Sequence, residues 1–233
     1  MSQAFHTILG NLQSELEVRQ AVDERSLALA QLGTLLGCRQ AGALLGAAFS
    51  RVLRGALTLT EVEDLVIHSA SYVGFAFAAE AFAMLQSQLD AHDRLQLAGS
   101  VDQRSSLPLA QRFEQGAALY AIFDARRVPR QLAFYSDVSP DYYRHVMGTF
   151  GCTFGRESFT VREREIVTVA MLAAMASAPK QLIFHVRVAL EQGVRREEFT
   201  EVLLHTQLYA GLPAANNAAT TILEVFSQRT QQA

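Results

Sequence analysis

The chain says the same thing twice. IHSASYVGFAFAAEA (residues 67–81) and LHTQLYAGLPAANNA (residues 204–218) align with His68 on His205, Tyr72 on Tyr209, Gly74 on Gly211 and Ala78 on Ala215, all at an offset of 137. A repeat of long period constrains a fold more than any local propensity, because each unit must bury its apolar face against its neighbour. Extended backwards, Gly55 falls on Gly193 at offset 138, and Glu24-Arg25 on Glu163-Arg164 at offset 139. We read the drift as single-residue length changes in loops. The copies then run from about residue 20 to 90 and from about residue 158 to 230.

Helical periodicity dominates and no long strand alternation is present, which predicts an all-α fold. Each copy reads as helix, turn, helix, glycine stop, helix, turn, helix, with Gly55 and Gly193 at the left-handed position that ends a helix. Thr160-Val-Arg-Glu163 and Thr58-Leu-Thr-Glu61 are capping boxes. Between the copies, HDRLQLAGSVDQRSSLPL is polar and rich in turn formers. Helices are expected over residues 111–123 and 136–150, the second with Ser139 as N-cap and Pro140 at its first position. The domain expectation is a first unit over 1–95, a linker over 96–110 and a second unit over 111–233.

Among the 233 residues the net charge is −3, with no basic block, which argues against nucleic acid and anionic membranes as partners. The longest apolar run, Ile166 to Ala178, is thirteen residues, too short to span a bilayer. No secretory signal is read at the start. Two distant cysteines, Cys38 and Cys152, fit a reduced, cytoplasmic protein. The six histidines are scattered and HExxH is missing, so no metal is expected. Phosphate loops, GxSxG and dinucleotide fingerprints are missing as well.

Acid–base chemistry is what these residues leave open. Glu165 sits on a helix that is apolar nearly all round, so its carboxylate needs a partner or shifts its proton affinity. A site near a helix N-terminus accounts for it equally well. His185 follows twenty residues later, and two antiparallel helices joined near Pro179 would bring the two together as a proton-transfer couple. A satisfied core histidine is the plainer reading of His185. His205 recurs as His68, which fits a structural task as well as ligand contact. Asn217 is a polar residue in an alanine-rich helix, either a ligand contact or a helix cross-link. Glu163 is explained by its capping box.

The stretch REREIVTVAMLAAMASAPKQLIFHVRVALEQGVRREEFTEVLLHTQLYAGLPAANNA, with the upstream DVSPDYYRHVMGTFG, strongly resembles the carboxymuconolactone decarboxylase family. The pattern is RE-x-V-T-x-A, a histidine, a glycine stop, then EVLL-x-T-x-x-YAG-x-PAA-x-NA. Copy one matches less well, so the chain is similar to a fused tandem of two alkylhydroperoxidase D-like helical units. The resemblance implies a homo-oligomer, here a trimer of fused chains. It also implies a cofactor-free decarboxylation of 4-carboxymuconolactone, in aromatic catabolism, to the enol-lactone of 3-oxoadipate. The redox branch of the superfamily uses a CxxC that this chain lacks. By resemblance Glu165 and His185 are the catalytic pair, His185 as acid or oxyanion partner and Glu165 orienting it. His205, Asn217, Arg162 and Arg187 are the substrate-binding candidates, the arginines for a second substrate carboxylate. In copy one Glu165 maps onto Ser26 and His185 onto Ala47 or Gly46, so the chemistry occurs once and the first copy is expected to be scaffold. Isomerisation, lactone opening and a non-enzymatic assembly role are the alternatives.

Overall fold

The computed structural model describes residues 2–40, 42–98, 107–123 and 128–230. Thirteen helices and no strand are found among them. They are α1 (Gln3–Glu17), α2 (Glu24–Gly37), α3 (Ala43–Val52), α4 (Leu59–Val73), α5 (Phe75–Gln88), α6 (Ala91–Ala98), α7 (Leu109–Phe123), α8 (Val128–Val138), α9 (Pro140–Phe154), α10 (Val161–Met175), α11 (Pro179–Glu191), α12 (Arg196–Tyr209) and α13 (Leu212–Thr230). None of the described helices is long and apolar enough to cross a membrane. Part of the expected linker, residues 99–106, lies outside the described residues; the part before it is the C-terminal end of α6.

The helix ends follow their local chemistry. Both expected capping boxes form: Thr58 and Thr160 each receive the backbone N–H of the glutamate three residues on, and Glu61 and Glu163 each accept from the cap residue's own N–H. Ser139 caps α9 with Pro140 at its first position. The expected helix over 136–150 is divided, with residues 136–138 closing α8.

The contacts repeat at one offset, 137, with none of the expected drift. Arg25 binds Glu61 at 2.7 Å and Arg162 binds Glu198 at 2.5 Å. Arg19 binds Glu201 at 2.8 Å, and Arg156 is paired with Asp64. The turn bond from Leu57 N–H to the Val52 carbonyl has its counterpart from Val194 to Ala189. Positive φ angles recur at Arg39 and Ala176 and at Gly74 and Gly211. Gly193 is left-handed at φ 81° as expected, but Gly55 is not among the positive-φ residues. Gly193 therefore answers Ala56, one residue on. At this offset Glu165 answers Ala28 and His185 answers Ala48, so the residues expected opposite them are corrected.

The repeat also reaches further than the sequence showed. The N-caps Ser2 and Ser139 and the helices α1 and α9 are related by the same 137, although α1 and α9 share no residue. Helices α1–α5 and α9–α13 correspond pairwise at that offset, with α6–α8 between.

The two halves meet where α2 crosses α10. A Cβ on Gly33 would lie 2.9 Å from Ala170 Cβ, and one on Gly37 would lie 3.0 Å from Ala174 Cβ. In each case a residue faces its own counterpart, the mark of a two-fold relation between the halves. Close approach there needs glycine, since the added carbon on Gly37 would come within 2.5 Å of the Met171 carbonyl oxygen. One continuous core results, drawing Leu29, Leu32 and Leu36 from α2, Val66 from α4, Val169 and Met171 from α10 and Val202 from α12.

Candidate active site

Glu165 occupies the second turn of α10, fully buried at 0 % exposure. The left-handed Ala176 ends α10, and Pro179 starts α11 three residues later, so the chain returns antiparallel. That return brings His185 onto Glu165, with Nδ1 2.9 Å from Oε2. The bond fixes the imidazole with Nδ1 toward the carboxylate and leaves Nε2 as its other exchange position. The second oxygen of the carboxylate, Oε1, is buried and has no hydrogen-bond partner.

Side chains from the first half complete the surroundings. The Tyr72 ring on α4 stands edge-on to His185 with centroids 5.6 Å apart, and Phe184 does the same at 5.0 Å. His68, one turn before Tyr72, has Nε2 3.0 Å from Thr168 Oγ1. Its ring lies edge-on to Phe154 at 4.8 Å. Burial, then the neighbouring Arg164 and His185, holds His68 well below the ordinary histidine range, so it is neutral. Burial, then the negative charge of Glu165, raises Tyr72 far above the usual phenol range, and a hydrogen bond with Thr168 opposes this. Tyr72 is a permanent O–H donor at any pH the fold tolerates.

Among the described residues Arg164 is the one guanidinium buried to 2 % exposure. It lies over the rings of Phe154 at 5.4 Å and Phe159 at 5.7 Å and donates to the Arg156 carbonyl. Burial pushes its proton affinity down to about 10.

The remaining sequence candidates have other surroundings. Arg162 is held by Glu198, with Nη2 2.5 and 2.6 Å from the carboxylate oxygens, and is the counterpart of Arg25. Arg187 donates to Gln228 at 2.7 Å on the surface. Asn217 is exposed and borders a small cavity of about 30 Å3 with Leu172, Ala173, Pro179, Leu182 and Thr221. His205 is buried in the mirror position, beside Tyr209 at 6.0 Å, with neither ring nitrogen hydrogen-bonded. Burial and the charge of Arg51 push it down to about 4. Tyr72 has His185 edge-on and feels the charge of Glu165, whereas at the offset of 137 the positions of Glu165 and His185 are held by Ala28 and Ala48. Among the described residues no three His, Cys, Asp or Glu side chains converge as metal ligands would.

The sequence profile of the carboxymuconolactone decarboxylase family matches residues 140–224, the span that carries both Glu165 and His185. The 4-carboxymuconolactone decarboxylase of Acinetobacter baylyi is 32 % identical over 118 residues, covering 50 % of this chain and 87 % of that protein. This chain belongs to the carboxymuconolactone decarboxylase family. An uncharacterised 15.0 kDa protein from the nqo9–nqo10 intergenic region of Paracoccus denitrificans is 30 % identical over 84 residues, 36 % of this chain and 63 % of that one. His68 and Tyr72 lie outside the profile match.

Tyr72, His68, Thr168 and Arg164 were not read as site residues from sequence. His68 and Tyr72 were visible as a repeat, and Thr168 as part of the RE-x-V-T-x-A pattern. Arg164 and Thr168 share helix α10 with Glu165, whereas His68 and Tyr72 are brought to it by the packing of α4 from the other half, which no local pattern reports.

Proposed function

We propose that the chain is an enzyme, a carbon–carbon lyase that decarboxylates a small unsaturated lactone acid of the 4-carboxymuconolactone kind with its own acid–base groups. The observation that carries this is the Glu165–His185 pair: buried, bonded at 2.9 Å, and leaving one carboxylate oxygen unpartnered. Such a couple holds a carboxylate and an imidazole in the arrangement that general acid–base catalysis needs. The named activity of the Acinetobacter relative supplies the reaction class. As the carboxylate departs as CO2, its bonding pair moves through the conjugated system to the lactone carbonyl oxygen. His185, oriented by Glu165, then delivers a proton to carbon.

The first half, on this reading, is a diverged copy of the family unit that has lost the acid–base pair at Ala28 and Ala48. Placement of the protein in the cytoplasm and in aromatic catabolism goes with the same proposal, as does assembly into a homo-oligomer. The exposed apolar stripe of Phe5, Ile8 and Leu12 on α1 supports the last of these. Cys38 is a poor redox nucleophile, because burial pushes its thiol up to about 11.

The test is an absorbance assay with freshly generated 4-carboxymuconolactone. The wild-type chain should turn it over, and His185→Ala should lose at least about 100-fold in rate, the low end for a general acid. An unchanged rate in that variant removes His185 from the mechanism.

A further inference from the structure

The two halves treat equivalent tyrosines differently. Tyr209 accepts from Gln31 Nε2 at 2.9 Å and from Gln13 Nε2 at 3.2 Å. At the offset of 137 the counterparts of Gln31 and Gln13 are Thr168 and Phe150. Tyr72 therefore keeps one small hydroxyl neighbour and has no second amide. The tyrosine tied down by two amides is the one for which Ala28 and Ala48 hold the positions of Glu165 and His185. The tyrosine relieved of them is the one edge-on to His185.

Proton bookkeeping gives the freed hydroxyl a direction. His68 Nδ1 is buried without a partner, whereas Nε2 meets Thr168 Oγ1. An orphaned buried N–H is rarer than an orphaned acceptor, so the ring proton belongs on Nε2 and is donated to Thr168. With Oγ1 taking the His68 proton, the Thr168 hydroxyl has its own proton left for Tyr72 Oη, the direction that agrees with its downward effect on Tyr72. The chain of donors runs from His68 through Thr168 to Tyr72, each polarising the next. It ends in a phenol O–H with no acceptor assigned in the protein, beside the His185 ring.

We propose that Tyr72 is a catalytic residue of this site, its O–H donating to the substrate oxygen that gains negative charge, with Thr168 and His68 as positioning residues behind it. The active site is then shared between the halves, and the first half contributes to the chemistry. This rests on the decarboxylation proposed above. In that step the C–CO2 bond breaks, its electron pair reaches the lactone carbonyl oxygen, and CO2 leaves. The Tyr72 proton is shared with that oxygen and not transferred. Carbon takes its proton from His185, which is reprotonated from solvent.

The experiment uses the full chain with two probes: 4-carboxymuconolactone as substrate, and 4-nitrophenolate as an unreactive oxyanion followed by its absorbance shift. Tyr72→Phe should lower kcat at least about 100-fold, the low end for removal of an oxyanion donor, with KM changing far less. Its affinity for 4-nitrophenolate should fall at least about 10-fold. Tyr209→Phe, at the mirror position, should change neither. Thr168→Val keeps the phenol and should lower kcat alone. A Tyr72→Phe rate within about threefold of wild type overturns the proposal. Should that variant misfold by circular dichroism, Thr168→Val carries the test, and an unchanged kcat there overturns it. If the wild type leaves the lactone untouched while binding 4-nitrophenolate, the reaction assignment fails separately. Tyr72 is then judged by affinity, and equal binding by wild type and Tyr72→Phe, or none by either, overturns its role.

Discussion

Two buried neutral histidines give the protein a pH signature at the level of single residues. His68 is held well below the ordinary value of 6.5, and His205 down to about 4. A histidine whose folded-state affinity is depressed binds more protons unfolded than folded once the pH drops below 6.5. Stability is therefore fully present above that value and is lost as the pH falls toward about 4. The slope is at most about 1.4 kcal/mol per pH unit for each histidine. Urea unfolding at pH 7.5, 6 and 5 should show this loss, and His205→Leu should flatten it. A wild-type stability constant between pH 7 and 5 contradicts the burial of both rings. Glu165 and His185 were legible at this scale because a carboxylate on an apolar helix and a histidine one hairpin later are local facts. The partner of Arg162 was not legible for the opposite reason: Glu198 is brought in by another helix.

At the scale of helices, glycine marks the places where backbones meet. Gly33 and Gly37 let α2 lie against α10, and a methyl at Gly37 would sit 2.7 Å from Met171 Cα. Gly37→Ala should cost about 1–3 kcal/mol, the usual penalty for overfilling a packed contact. Gly10, inside the exposed helix α1, has nothing within 4 Å of an added Cβ. Gly10→Ala should be neutral or should stabilise by up to about 1 kcal/mol through helix propensity. Thermal midpoints of the two variants check both signs, and equal shifts would contradict the α2–α10 crossing. Capping boxes and the Pro140 helix start were readable because their bonds lie within four residues. Helix α8 was not, and its last residues, 136–138, were read into the helix that follows.

For the molecule as a whole, the shared core predicts cooperativity. Leu29 and Phe49 of the first half and Val167 and Met171 of the second are all in one buried cluster. Heat or urea should unfold the chain in a single transition, with helix content and tyrosine environment changing together. Two separated transitions would show that the halves fold as independent domains. The pseudo-two-fold also explains why α1 escaped the repeat read from sequence. Helices α1 and α9 keep their place by the ion pairs that follow them, Arg19–Glu201 and Arg156–Asp64, while their own residues have diverged completely.

What the sequence settled alone was whatever repeats or pairs over short range: the all-α class, the duplicated block around His68 and His205, the helix caps, and Glu165 with His185 on adjoining helices. Periodicity and capping bonds act within a turn or two, so they leave their trace in consecutive residues. Only the tertiary structure decided the constant offset of 137, the pairing of α1 with α9, and the approach of Tyr72 and His68 to Glu165. Those depend on α2 crossing α10 about a two-fold axis, a contact between residues about 137 apart whose chemistry is a shape match between glycine and alanine faces. Such a match carries no charge or periodic signal for a reader of the sequence.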